Sequence, residues 1–173
     1  EIVKKMGSTG IFGPTVSQEY GGGGLDNISY GLIMQELERG DSGMRSTASV
    51  QSSLVMFPIE SYGSEEQKKK YLPKLASGEM LGCFGLTEPD FGSNPGGMIS
   101  KLEDKGDHYI LNGSKMWISN SPAADIAVVW AKDESKRIKG VIVEKGMEGF
   151  SAPKTEGKLS LRSSLTGELV FDN

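Results

Sequence analysis

The apolar positions divide the chain into two stretches with different periods. Over residues 1–80 the pattern is helical. Asp26 or Asn27 is placed to cap a helix that runs to about Arg39, with Gly40 at its end. Ile28, Leu32 and Leu37 are expected to share one face of that helix with Ile33 beside them. Residues 42–60 are rich in small side chains, among them Ser42, Gly43, Ser46, Thr47, Ala48 and Ser49. A helix built from these packs closely against something or lines a cavity. Ser64 followed three residues later by Gln67 is a capping box. The helix it opens runs through Lys68-Lys69-Lys70-Tyr71, and Pro73 is expected to end or kink it.

From about Leu81 the period shortens. Tyr109 to Ile118 carries Asn112-Gly113 between two apolar stretches, which predicts a β-hairpin turning at that pair. Ile126–Trp130, Ile138–Val143 and Leu169–Phe171 are further apolar runs of strand length. Several short strands with turns between them suggest a sandwich or barrel. The expected fold class is therefore α+β: a helical part over 1–80, then an antiparallel β-barrel or sandwich domain over 81–173. The Gly21–Gly24 run reads as a mobile loop or a tight junction. No internal repeat or low-complexity tract interrupts either half.

Composition narrows the chemistry. In 173 residues there are 19 Lys and Arg against 23 Asp and Glu, a net charge of −4. That lacks the basic footprint of a nucleic-acid binder. No apolar run approaches the length of a membrane span. A single cysteine excludes an internal disulfide, an intrachain iron–sulfur cluster and a cysteine zinc site. A single histidine, His108, excludes a two-histidine metal site. The 24 glycines exceed the usual share of about 7%. The chain starts Glu1-Ile2-Val3, without an initiator Met or a signal peptide, and stops on a strand pattern at Asn173. We expect an internal piece of a longer chain.

Three segments are candidates for chemistry. Cys83 to Gly97 is a strand running into a glycine-rich loop that is neither a dinucleotide fingerprint nor a Walker loop. It reads either as a surface turn or as a place where main-chain N–H groups approach a flat polar ligand, with the Thr87 and Ser93 hydroxyls adding donors. Met116-Trp117-Ile118-Ser119-Asn120 places an indole in a strand, either as core or stacked on a planar ring with Ser119 at its edge. In Glu36 to Ser46, Arg45 stands among small residues. It is either solvated or free to form a bidentate pair with a ligand carboxylate, with Glu38 holding it.

Together these segments resemble the acyl-CoA dehydrogenase superfamily, and within it the glutaryl-CoA dehydrogenase branch. Gly85-Leu86-Thr87-Glu88-Pro89 through Gly92-Ser93, the Trp117-Ile118-Ser119 step, and Tyr62-Gly63-Ser64-Glu65-Glu66-Gln67 with Tyr71-Leu72-Pro73 and Gly78-Glu79 carry the superfamily pattern. Glu36-Leu37-Glu38-Arg39, Asp41-Ser42-Gly43, Arg45-Ser46, Val50 to Met56, Asn120-Ser121-Pro122, Ala124-Asp125 and Glu144 to Met147 are similar to the glutaryl branch. Phe91 stands where a small residue is usual, Asn94 where Asp is usual, and Ser119 where Thr is usual.

The resemblance implies a helical domain, a middle β-domain and a C-terminal four-helix bundle, the last absent from this chain. It implies FAD held by Phe84, Gly85, Leu86, Thr87, Gly92, Ser93, Trp117, Ile118 and Ser119. It implies an acyl-CoA substrate, glutaryl-CoA, contacted by Ser93, with Arg45 and Ser46 on its distal carboxylate and Glu38 supporting Arg45. The implied reaction is α,β-dehydrogenation, followed in decarboxylating members by loss of CO2 to give crotonyl-CoA. The catalytic glutamate belongs to the bundle, so no catalytic acid or base and no metal ligand is expected among these 173 residues. A homotetramer, an electron-transfer flavoprotein as electron acceptor, and a bacterial cytoplasmic location, with the mitochondrial matrix as alternative, complete the expectation.

Overall fold

The computed structural model describes all 173 residues. Five α-helices come first: α1 Ile2–Ser8, α2 Asn27–Gly40, α3 Ser42–Ser49, α4 Phe57–Tyr62 and α5 Glu65–Ala76. Each of the longer ones begins on a polar cap. The Asp26 carboxylate accepts from Ser29 N at 2.8 Å, and that of Asp41 from Met44 N at 2.8 Å. At α5 the capping box is complete: Ser64 Oγ accepts from Gln67 N, and Gln67 Oε1 accepts from Ser64 N. Pro73 does not end α5, which continues to Ala76 and buries Leu75 and Ala76 against the helical core.

Between α3 and α4 the chain stays helical but widens to π-type hydrogen bonding over Val50–Met56. This wider segment buries Gln51, whose amide donates to Leu75 O and Met80 O while its carbonyl accepts from Gly82 N. Gln51 thus ties the end of the helical part to the start of the sheet.

The glycine run at 21–24 is a tight junction. Gly22 N, Gly23 N and Gly24 N donate to Ser17 O, Gly13 O and Val16 O, and a Cβ at Gly22 would meet Val16 O at 2.2 Å.

Seven strands follow: β1 Gly82–Gly85, β2 Lys101–Asp104, β3 Tyr109–Ser119, β4 Ile126–Lys132, β5 Ile138–Glu144, β6 Phe150–Ser151 and β7 Thr166–Phe171. The fold class is the expected one, helices then a curled sheet forming a half-barrel, and no four-helix bundle is present. Within it the sheet is mixed. β4 runs parallel to β1 and, through one bridge, to β2; β4–β5, β2–β3, β3–β7 and β7–β6 are antiparallel. β4 is apolar on both faces because both are covered. Ile126 and Val128 join the helical core, whereas Ala127 and Val129 pack inside the curl with Cys83, Ile118, Leu169 and Phe171.

Two expectations are corrected. Asn112-Gly113 is not a hairpin turn but lies within β3, pairing through to β2 and β7. Glycine is required there because a Cβ would come within 2.8 Å of Ser100 Cα, and φ is 142°. On α2 the inward face is Met34 with Tyr30, Ile33 and Leu37, while Ile28 and Leu32 are 75% and 59% exposed. Ile28 and Leu37 are nine residues apart, about two and a half turns at 3.6 residues per turn, so they lie on opposite faces and the expected grouping fails.

Candidate functional site

The glycine-rich loop begins where β1 leaves the sheet. Its first residues lie against β3: Met116 N donates to Thr87 O at 2.9 Å. The two stretches singled out in the sequence are therefore adjacent. Beneath them sits a buried ion pair. Lys115 Nζ reaches Glu88 Oε1 at 2.9 Å and also Leu86 O at 3.2 Å. Glu88 accepts further bonds from Ile99 N, Ser100 N and Ser100 Oγ, at 2.7, 3.0 and 2.6 Å. Burial pushes the Glu88 carboxyl up, but the bonds from Ile99, Ser100 and Lys115 outweigh it and hold it at about 2. Lys115 lies below the ordinary lysine value, because desolvation exceeds the pull of Glu88. The Glu88 carboxylate is thus ionised, saturated and buried, which fits a loop clamp and not a base.

Two residues beyond Lys115, β3 bulges. Its pairing with β7 shifts between Lys115 and Ile118. Trp117 stands in the bulge with φ at 62°, a left-handed conformation rare for a bulky side chain, and its indole is 63% exposed. A core tryptophan would show neither feature. Ser119, half-buried opposite Thr166, makes no hydrogen bond through its hydroxyl; nor do the hydroxyls of Thr87 and Ser93. A Cβ at Gly92 would meet nothing within 4 Å. Packing within the chain therefore does not demand glycine there, and the space above it is open.

The other predicted residues sort by what they present. Phe84 faces the helical core and meets Trp130 edge-on, ring centroids 6.1 Å apart. Gly85 is buried, and its missing Cβ leaves room for Leu169 and the Lys115 stem. The Ile118 side chain fills the curl, so only its main chain is on offer. Phe91 folds back onto Gly97, where a Cβ would come within 2.5 Å of its ring. Asn94 makes no capping bond to the short turn that follows it.

Arg45 and its expected partner form a second group, on α3 and α2. Arg45 Nε donates to Glu38 Oε2 at 2.6 Å, and Ser42 Oγ donates to Glu38 Oε1. Ser42 first, then Arg45, holds the Glu38 carboxyl below its usual value. The terminal Nη groups of Arg45 have no protein partner. Ser46 lies one residue on, half-buried. A segment that sequence reasoning missed joins the two groups: Ser163 Oγ donates to Asp41, the cap of α3, while Thr166 pairs with Ser119. A Cβ at Gly43 would collide with Ser163, so Gly43 permits that approach.

Lys115 was also missed, although the period-2 pattern of β3 puts it on the same face as Leu111 and Gly113. No group of three or more His, Cys, Asp or Glu side chains is arranged to hold a metal, and no helix is long and apolar enough to cross a membrane. Burial pushes the Cys83 thiol up to about 12, so it is no nucleophile.

Comparison with known proteins identifies the family. Residues 1–79 match the acyl-CoA dehydrogenase N-terminal domain and residues 83–173 the acyl-CoA dehydrogenase middle domain. A glutaryl-CoA dehydrogenase from Mycobacterium smegmatis, in complex with FADH2, superposes with a TM-score of 0.96 at 52% identity, over 99% of this chain and 44% of that one. Mitochondrial isovaleryl-CoA dehydrogenase from Pongo abelii is 42% identical over 100% of this chain and 42% of its own length. The short-chain acyl-CoA dehydrogenase of Clostridium acetobutylicum is 45% identical over 100% of this chain and 47% of its own. The chain therefore spans less than half the length of these relatives. With both of its halves matched in order, the chain belongs to the acyl-CoA dehydrogenase family, a family of oxidoreductases.

Proposed function

We propose that this chain forms the helical (1–80) and middle (81–173) domains of an FAD-dependent acyl-CoA dehydrogenase whose substrate is glutaryl-CoA. The observation that carries the flavin half is the Met116 N to Thr87 O bond. It supports the reading by setting Thr87 against the strand that carries the exposed, left-handed Trp117. A non-glycine residue held at positive φ with its side chain outward points to a ligand surface. The residues fit the group: Trp117 offers a flat apolar face, Thr87, Ser93 and Ser119 offer free hydroxyls, and Gly92 leaves open space. When bound, FAD accepts the hydride that leaves the substrate Cβ. In this reading Trp117 covers one face of the ring, and Thr87 with Ser119 donates to its polar edge. Ser93 meets the CoA side of the substrate.

Arg45 carries the substrate half. Glu38 engages its Nε only, which fixes the guanidinium and leaves two amino groups to receive a distal carboxylate as a bidentate pair. Ser46 adds a hydroxyl beside it. Dehydrogenation would be followed by loss of CO2 to give crotonyl-CoA. No residue of this chain takes the role of base in the proposal. The proposal extends to a homotetramer, to an electron-transfer flavoprotein as electron acceptor, and to the bacterial cytoplasm. A second reading, a monocarboxylic short or branched acyl-CoA, is favoured by the identities of 42% and 45% to the isovaleryl-CoA and short-chain enzymes.

The test is anaerobic reduction of the intact, FAD-loaded protein by single acyl-CoA thioesters. Rapid bleaching of the flavin by glutaryl-CoA and slow bleaching by butyryl-CoA is expected. The reverse order favours the second reading, and a protein that cannot be loaded with FAD overturns both.

A further inference from the structure

The wall proposed for the flavin has two sides, the Leu86–Thr87 main chain and the Trp117 bulge, and something must set their spacing. Resting on the flavin reading above, we infer that Lys115 and Glu88 are positioning residues for that wall, joining its two sides from beneath. Lys115 stands two residues before Trp117, and its ammonium bonds the residue before Thr87 (Leu86 O) and the residue after it (Glu88). Glu88 in turn gathers Ile99 and Ser100, where the loop returns to the sheet. Three pieces of chain thus meet at one fully desolvated pair, 0% and 1% exposed.

Stability alone does not explain an ammonium there. A buried pair is often no better for stability than apolar residues of similar volume. What Lys115 does that Met cannot is donate at once to a loop carbonyl and a loop carboxylate. Gly85 is cut to suit, since a Cβ there would press on Lys115 Cγ at 3.3 Å. The left-handed conformation of Trp117 also needs surroundings that over-determine it. The anchored Lys115 and the Met116 N to Thr87 O bond supply them from the residues just before the bulge.

The test uses the intact FAD-binding protein carrying Trp130→Phe, so that Trp117 is the one tryptophan left among these 173 residues. The decisive variant adds Glu88→Gln with Lys115→Met, which removes both charges; the Gln carbonyl can still accept from Ser100, while Ile99 N loses its carboxylate acceptor. We expect it to fold and to bind FAD about 10–100-fold more weakly, because the groups that hold the two sides of the wall in place are gone. Quenching of Trp117 by FAD should fall, and kcat should drop about 100-fold with KM little changed. Lys70→Met, which breaks the half-exposed Lys70–Glu144 pair elsewhere, should leave all three readings in place.

Unchanged affinity, quenching and kcat in the double variant overturn the inference while leaving the flavin reading intact. A parent protein that binds no FAD brings down both. Should the double variant fail to fold, hydrogen exchange in the unmutated protein decides. Adding FAD should slow exchange at the Met116, Ile99 and Ser100 amides together, and protection at Met116 alone contradicts the inference.

Discussion

Two ion pairs of the same chemistry sit in different settings. Lys115–Glu88, at 2.9 Å, is sealed from solvent, and its carboxylate also takes main-chain and serine donors. Arg45–Glu38, at 2.6 Å, is 35% and 47% exposed, and the arginine keeps its terminal donors free. The difference teaches that burial assigns the role. A sealed and satisfied pair can only hold architecture, because nothing reaches it. A half-exposed and half-satisfied pair holds little architecture but can still recognise an incoming group.

The comparison breaks most visibly at Arg45. In the intact enzyme Arg45→Met should lower kcat/KM for glutaryl-CoA by up to about 10⁴-fold, since a site built for a polar group is left unpaired. Turnover of butyryl-CoA should change far less, and the urea midpoint should barely move. Equal losses on both thioesters would make Arg45 a structural residue. The mirror experiment is Lys115→Met alone, which strands a buried carboxylate and should cost about 3–5 kcal/mol in urea unfolding. A loss below about 1 kcal/mol would mean that the pair is not sealed as described.

Acid titration sharpens the contrast. The folded-state value of Glu88, about 2, lies below its ordinary 4.5, so the unfolded chain takes up the proton first. The Glu88 contribution is complete above about pH 4.5 and drains away as the pH falls towards 2. Glu88→Gln should flatten stability across that window, and an unaltered slope would contradict the ionised pair. The smallest effect belongs to Gly92→Ala: within about 0.5 kcal/mol on stability, because its Cβ meets nothing, but a measurable weakening of FAD binding.

Much of this was legible in the sequence, unevenly and for physical reasons. Caps are local, so Asp26 and the Ser64–Gln67 box could be read directly. The Asn112-Gly113 pair misled because glycine has two uses, a positive-φ turn and a close approach, and only the position of Ser100 decides between them. Ile28 and Leu32 misled through their grouping with Leu37, although about two and a half turns separate Ile28 from Leu37 and put them on opposite faces. At the site, the Glu38–Arg45 contact follows from spacing along two successive helices. Lys115 was invisible because its partner lies 27 residues away and meets it only once β3 and the loop are folded. The bulge at Trp117 likewise depends on register with β7, which no local pattern encodes.

The central claim is that the Leu86–Ser93 loop and the Trp117 bulge form one face of a flavin site. A crystal structure of the intact protein loaded with FAD tests it most directly. The account predicts the isoalloxazine in van der Waals contact with the Trp117 indole and in hydrogen-bond range of Thr87 or Ser119. A flavin seated elsewhere, with Trp117 still facing solvent, would contradict it.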